Sequence, residues 1–268
     1  MAARLRSAAT GRHVMETQNP PQAPVAAPRL SIVLPAFNEE GSIELAVRQA
    51  LAAARLITLH HEVVVVNDGS RDGTSRILKD LETELGGRLL VVNHAVNLGY
   101  GVALRDGFRA TRGEVVFYTD SDNQFDVREL KDLMPLMEDH DVVLGYRLDR
   151  QDPWLRKFVS GGFNRLSSLA FGMSVRDLNC SFKVFRGDLI RSLPLEATDF
   201  FIDTELVARI HRGGYRYVQR GVRHYPRTAG RSTVRASDVP RTLVSLAHMW
   251  VRLRLLRPES ERAAGPAV

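Results

Sequence analysis

Apolar, largely β-branched runs alternate along the first half of the chain with stretches whose apolar residues recur at helical spacing. The runs at Leu30–Ala36, Glu62–Asn67, Arg88–Asn93, Glu114–Thr119 and Asp141–Tyr146 predict strands. The amphipathic stretches at 40–57, 73–84, 100–111 and 126–139 predict helices. Such alternation predicts an α/β fold: a mostly parallel central sheet flanked by helices. In sheets of this kind ligands bind beyond the carboxyl ends of the strands. Polar clusters stand at those ends here: Pro35-Ala-Phe-Asn-Glu-Glu40, Asn67-Asp-Gly-Ser-Arg-Asp-Gly-Thr74 and Asp120-Ser-Asp-Asn-Gln124. Together they predict one site on one edge. Beyond residue 146 the pattern changes to a helix at 154–171, a strand Ser181–Arg186, a helix Asp203–His211 and a strand pair around Tyr215–Tyr225. The last element, about 239–256, is apolar around much of its circumference and carries Arg241, Arg252, Arg254 and Arg257. It suits an interfacial membrane helix, a helix docked on a partner, or a terminal helix on its own core.

Asp120 and Asp122 are the sharpest chemical feature. Residues two apart share a face of an ideal strand, so both carboxylates can converge on one hard cation. Mg2+ or Mn2+ held this way keeps room for water and substrate phosphates. Gln124 can add a carbonyl oxygen. The competing reading is a loop that uses Asp, Ser and Asn for turns and capping.

Composition narrows the class. With 268 residues, 44% of them hydrophobic, the chain can bury a full core. One cysteine, Cys180, rules out an internal disulfide framework and a multi-cysteine zinc site. No apolar run reaches 18 residues, which argues against a membrane span. Residues 1–28 mix Ala, Pro and Arg without the apolar centre of a signal peptide, and read with 259–268 as flexible tails. The net charge of +6 points to an anionic partner. Between Glu205 and Asp238 no acidic residue occurs, yet Arg209, Arg212, Arg216, Arg220, Arg223, Arg227, Arg231 and Arg235 do. Arginine grips phosphate oxygens bidentately.

Other phosphate motifs fail. Asn97-Leu-Gly-Tyr-Gly101 invites a dinucleotide reading, but the third glycine position is Leu104. Neither a P-loop nor a Gly-x-Ser-x-Gly elbow is present.

Taken in order, Ser31-Ile-Val-Leu-Pro-Ala-Phe-Asn-Glu-Glu40, Val65-Val-Asn-Asp-Gly-Ser-Arg-Asp-Gly-Thr74, Asn97-Leu-Gly-Tyr-Gly101 and Asp120-Ser-Asp-Asn-Gln-Phe-Asp126 resemble glycosyltransferase family 2. Within it the chain looks most like the dolichol-phosphate mannose synthase and polyprenyl-phosphate glycosyltransferase group, over about residues 30–235. The resemblance implies a GT-A fold and a metal-dependent, inverting transfer of sugar from a nucleotide-sugar (GDP-mannose or a UDP-hexose) to a polyprenyl or dolichyl phosphate. It implies that Pro35, Phe37, Glu39, Asp68 and Asp120 border the nucleotide-sugar, and that Asp120, Asp122 and Gln124 hold Mg2+ or Mn2+. It also implies that Arg147, Arg156, Ser160 and Arg227 cradle phosphates of donor and acceptor. Asp122, Arg147 and Asp203 are the expected catalytic residues. The chain departs from the family pattern at Asn67, where Asp is common, at Thr233, where Lys often stands, and at Cys180, where a small hydroxyl residue is usual.

A phosphate acceptor is largely ionised at neutral pH and needs little help, whereas a hydroxyl acceptor needs a general base. Asp203 and Glu205 are the candidates for that base; their alternative role is to orient neighbouring arginines. The rivals are a transferase acting on a saccharide or other hydroxyl, a silent anionic-ligand binding protein and, last, a nucleic-acid binder. The expected organisation is a tail at 1–28, a GT-A domain at 29–236, an amphipathic basic helix at 237–258 and a tail at 259–268. The expected location is cytoplasmic and peripheral to the membrane face.

Overall fold

The computed structural model describes residues 29–148, 154–227, 244, 246–247 and 249–251, without the side chains of 154–160. The tails, and most of the final helix, lie outside the described residues. The strands are β1 (Leu30–Ala36), β2 (His61–Asn67), β3 (Leu89–Asn93), β4 (Val115–Thr119), β5 (Val142–Leu148), β6 (Phe182–Arg186) and β7 (Tyr217–Arg223). The helices are α1 (Ile43–Arg55), α2 (Thr74–Leu85), α3 (Tyr100–Ala110), α4 (Leu130–Leu133), α5 (Trp154–Phe171), α6 (Gly187–Ser192) and α7 (Ile202–Arg212).

The strands form one sheet in the order β3-β2-β1-β4-β6-β5-β7. Only β6 opposes the others: it pairs antiparallel with β4 and β5, while the remaining pairs are parallel. Both faces of the sheet's centre are covered, which is why β1, β2, β4 and the first half of β5 read as largely apolar runs. Alternate residues enter different cores. Ile32, Val63, Val65, Phe117 and Val143 face one cluster with α1 and α2. Val33, Val64, Val116, Tyr118 and Leu144 face another with α3, α6 and α7. Leu246 and Met249 of the C-terminal segment are buried in this second cluster, whereas Val244 and Val251 are exposed.

Two expectations are corrected. The helix expected over 126–139 is broken into a 3₁₀ turn at Val127–Glu129, the single turn α4 and a second 3₁₀ turn at Met134–Met137. Pro135 lacks the amide hydrogen that a continuous helix would use there. The strand pair expected around Tyr215–Tyr225 is a single strand, β7, whose neighbour is the distant β5. Periodicity marks a strand but does not name its partner. The short helix α6 is additional.

The chain order changes direction at β1, which lies between β2 and β4. Such a switch point opens a crevice at the carboxyl ends. Pro35 accentuates it. The ladder with β2 continues to Ala36↔Asn67, but that with β4 stops at Val33↔Tyr118. Proline has no N–H to extend the pairing, and the Ser121 hydroxyl donates to the Pro35 carbonyl at 2.8 Å beyond the last rung.

Candidate active site

The acidic pair sits where β4 ends beside that gap. Asp120 is held from two sides: the Tyr100 hydroxyl donates to Oδ1 at 2.9 Å and the Ser181 hydroxyl to Oδ2 at 2.6 Å. Burial, then the charge of Asp122, push its carboxyl up to about 7 against these two donors. Burial raises Asp122 as well; Arg227 opposes the shift and Glu39 adds to it. The Gln124 amide N–H donates to Asp122 Oδ1 at 3.1 Å.

Arg227 reaches this pair because its segment is stitched to the loop. Tyr225 N donates to the Gln124 carbonyl at 2.8 Å, and Gln124 Nε2 donates back to the Tyr225 carbonyl at 3.0 Å. Phe125 and His224 form an antiparallel bridge. The guanidinium then bonds Glu39 Oε1 and stands 3.9 Å from Asp122 Oδ2. Glu39 Oε2 accepts from Ser42 Oγ at 2.6 Å. Glu39, Asp122, Gln124 and Arg227 are thus brought together, with the half-buried Phe37 two residues before Glu39.

The donor set suits a hard cation. Among the described residues no group of three or more His, Cys, Asp and Glu converges on one point. A cation that keeps its waters and borrows substrate phosphate oxygens needs only one or two carboxylates. Two neighbouring carboxylates that resist ionising together are stabilised by that charge.

Other expected residues are committed elsewhere. The Asp68 carboxylate, 3% exposed, accepts from His94 Nδ1 at 2.7 Å, Leu98 N at 2.8 Å and Gly99 N at 2.9 Å. It borders the crevice by pinning the loop after β3. Asn67 donates through Nδ2 to Ser75 Oγ at 2.8 Å and Asn93 Oδ1 at 2.9 Å. These two bonds use the amide as a donor, a role a carboxylate lacks. Arg147 forks onto Asp177, Nε at 2.7 Å and Nη2 at 2.8 Å. Arg156 and Ser160 lie on α5, and their side chains fall outside the described residues.

Asp203 is 4% exposed and enclosed. The Lys183 ammonium, fully buried, donates to its Oδ1 at 2.6 Å, to Tyr118 Oη at 2.9 Å and to the Cys180 carbonyl at 2.6 Å. Tyr118 also donates to Asp203. Glu205 accepts from the Glu196 and Ala197 amides and from Arg209 Nε at 2.8 Å. Within the arginine run, Arg209 is therefore internal, and Arg216 is paired with Asp141 at 3.8 Å. Burial, then Asp177, push the Cys180 thiol up to about 12, so it stays protonated.

Sequence reading missed Tyr100, Ser181 and Lys183. Tyr100 lies in the Asn97–Gly101 motif, considered as a phosphate loop and as part of the family resemblance but without a role for its side chain. Lys183 alternates with apolar residues in β6, and a lysine on a buried strand face is itself a signal.

A mostly parallel sheet with an acidic pair at its switch point, faced by arginine, defines an α/β protein with a polar site at the carboxyl ends of its strands. Residues 31–194, more than half of the chain, match the model of "Glycosyl transferase family 2", and the chain belongs to that family. Similar curated proteins include the undecaprenyl-phosphate 4-deoxy-4-formamido-L-arabinose transferases of Aeromonas hydrophila subsp. hydrophila and Edwardsiella ictaluri. Each is 31% identical over 165 residues, covering 61% of this chain and 51% of the relative. The chain thus spans about half the length of these relatives. Among solved structures, glucosyl-3-phosphoglycerate synthase from Mycobacterium tuberculosis with Mn2+, uridine diphosphate and glucosyl-3-phosphoglycerate aligns at a TM-score of 0.64. Its identity is 22% and 87% of each chain is covered. The same enzyme with Mg2+ and uridine diphosphate gives 0.62, at 22% identity, over 83% of this chain and 80% of that one. At these identities the likeness is one of fold, the GT-A fold.

Proposed function

We propose that the protein is an inverting glycosyltransferase that moves a sugar from a nucleoside diphosphate to a polyprenyl phosphate. The observation that carries the reading is the Asp120/Asp122 pair at the β1/β4 gap, faced by Arg227. Family membership supports the reaction type, and the names of the curated relatives support a polyprenyl phosphate acceptor.

A phosphate oxygen of the acceptor attacks the anomeric carbon from the face opposite the nucleotide. The bond to the diphosphate breaks, and its electron pair leaves with the nucleoside diphosphate. Asp120 and Asp122, with the Gln124 carbonyl oxygen, would hold Mg2+ or Mn2+, whose charge stabilises that leaving group. Arg227 adds a guanidinium at the same place once it exchanges Glu39 and Asp122 for phosphate oxygens. Pro35, Phe37 and the loop pinned by Asp68 border the nucleoside, while Arg156 and Ser160 serve the phosphates of donor and acceptor, joined by Arg147 only where it exchanges Asp177 for phosphate oxygens. Asp203 and Glu205 are engaged by Lys183 and Arg209. This favours an acceptor that needs no general base, the phosphate over a hydroxyl.

Domain limits of 29–236 and 237–258 belong to the same proposal, as does attachment to a membrane surface from the cytoplasmic side. No helix among the described residues is long and apolar enough to cross a membrane. The test is transfer of radiolabelled sugar from UDP-glucose, GDP-mannose and UDP-N-acetylglucosamine to polyprenyl phosphate, with Mn2+, Mg2+ or EDTA. The expected result is an organic-extractable product from one donor that EDTA abolishes. Donor hydrolysis without lipid product would move the acceptor to a hydroxyl.

A further inference from the structure

The Asn97–Gly101 motif, whose Leu98 and Gly99 amides Asp68 pins, also delivers a hydroxyl to the acidic pair. Tyr100 is the first residue of α3 and donates to Asp120 Oδ1 at 2.9 Å. Its ring stacks on Phe200, centroids 4.9 Å apart at 26°. The backbone beneath it is fixed as well, since Gly101 N donates to the Thr198 carbonyl at 3.0 Å. A Cβ at Gly101 would overlap the Ala197 carbonyl oxygen, so the approach needs glycine. Further along α3, a Cβ at Gly107 would press into Val33 on β1 at 2.6 Å, which sets the helix close to the sheet. The Tyr100 hydroxyl therefore has little freedom except along its bond to Asp120.

Ser181 closes the opposite side, donating to Oδ2 at 2.6 Å. Its own position is fixed by the neighbouring Cys180 carbonyl, which accepts from the buried Lys183 at 2.6 Å. One hydroxyl on each oxygen, each on a rigid support, locks the rotation of a carboxylate that would otherwise turn about its terminal bond.

We propose that Tyr100, with Ser181 opposite, is a positioning residue that fixes the Asp120 carboxylate in the orientation from which it binds the divalent cation. The inference rests on reading Asp120 and Asp122 as cation ligands. Groups that orient metal ligands typically change metal affinity 10–100-fold when removed. Tyr100 also spans two parts of the site, because Phe200 and Thr198 belong to the segment leading into α7. Displacement of that segment would be felt at Asp120.

The test is Mn2+ binding followed by electron paramagnetic resonance, with UDP or GDP, whichever the wild-type protein holds more tightly. The proteins compared are wild type, Tyr100→Phe, Ser181→Ala and Asp122→Asn, each with its metal-free melting temperature. Tyr100→Phe keeps the ring stack and removes only the hydroxyl. The expected result is a roughly tenfold weaker Mn2+ affinity in Tyr100→Phe and a changed spectrum of the bound ion, with a melting temperature lowered by the one lost hydrogen bond but still well above the assay temperature. Ser181→Ala is expected to move in the same direction. Wild-type affinity in both hydroxyl variants, alongside lost binding in Asp122→Asn, would overturn the positioning role and leave the cation site standing. Weakened binding with an unchanged spectrum of the bound ion, in a variant partly unfolded at the assay temperature, would overturn it too. Absence of Mn2+ binding by the wild type with either nucleotide would overturn the cation reading and this inference with it.

Discussion

At the scale of single residues, the ionisation of the acidic pair makes the clearest demands. Asp122→Asn is expected to abolish metal-dependent sugar transfer. It should leave the metal-free melting temperature equal or higher, because it removes a charge that burial disfavours. Transfer assays with calorimetry check both halves. Asp120 is held near 7, well above its unfolded value of 3.8. Between those values the folded state binds more protons than the unfolded one, so this group's contribution to metal-free stability falls as pH rises from about 4 to about 7. Below pH 7 a cation must also displace that proton. Mn2+ affinity is therefore expected to climb with pH up to about 7 and level off above it, as titrations across pH 5.5–8.5 would register. Asp120 and Asp122 were legible because a carboxylate pair at a strand end carries its meaning in local sequence, whereas Glu39 and Arg227 were singled out only by the family resemblance. Asp203 was not legible in the same way. The acid shows in sequence, but the Lys183 that encloses it is a contact across 20 residues.

At the scale of elements, Lys183 joins β4, β6 and α7 through Tyr118, its own strand and Asp203. Lys183→Met would leave Asp203 buried without its counter-ion, at a cost of about 3–5 kcal/mol. Chemical denaturation of the variant is the measurement, and a loss below about 1 kcal/mol would contradict the pairing. The central strands were legible to within a residue or two, because burial on both faces writes a continuous apolar run. The stretch at 126–139 looked helical from its apolar spacing, yet Pro135 divides it. The pairing of β7 with β5 was hidden, since adjacency in a sheet is decided by topology and not by the strand's own residues.

At the scale of the whole molecule, the sheet turns a list of short motifs into a site. The segments at 35–40, 120–124 and 224–227 are far apart in the chain, and they meet because β1 and β4 are neighbours and the segment after β7 folds back along Phe125. The basic character of the chain divides accordingly: Arg209 and Arg216 neutralise the protein's own acids, and Arg227 faces the crevice. Leu246 and Met249 bury the described part of the C-terminal helix against the second core, which joins that segment to the body of the protein. The exposed Val244 and Val251 leave its other side available to a surface. Flotation with anionic vesicles is expected to recover the full chain and to lose a Val244→Glu, Val251→Glu variant.

The Arg227 guanidinium on Glu39 and near Asp122 has a further consequence, in the timing of catalysis. Arg227 offsets only part of the charge of Glu39 and Asp122 before any substrate arrives, and its guanidinium repels a free divalent ion that enters alone. An ion already chelated by a nucleotide brings the anion that the guanidinium needs in exchange, and both partners change hands in one event. The expected kinetics are compulsory-order, with the metal–nucleotide chelate as the leading substrate and the metal–diphosphate chelate departing last. Initial velocities should then follow the chelate concentration at any excess of free ion. Product inhibition by the nucleoside diphosphate should be competitive against the donor alone.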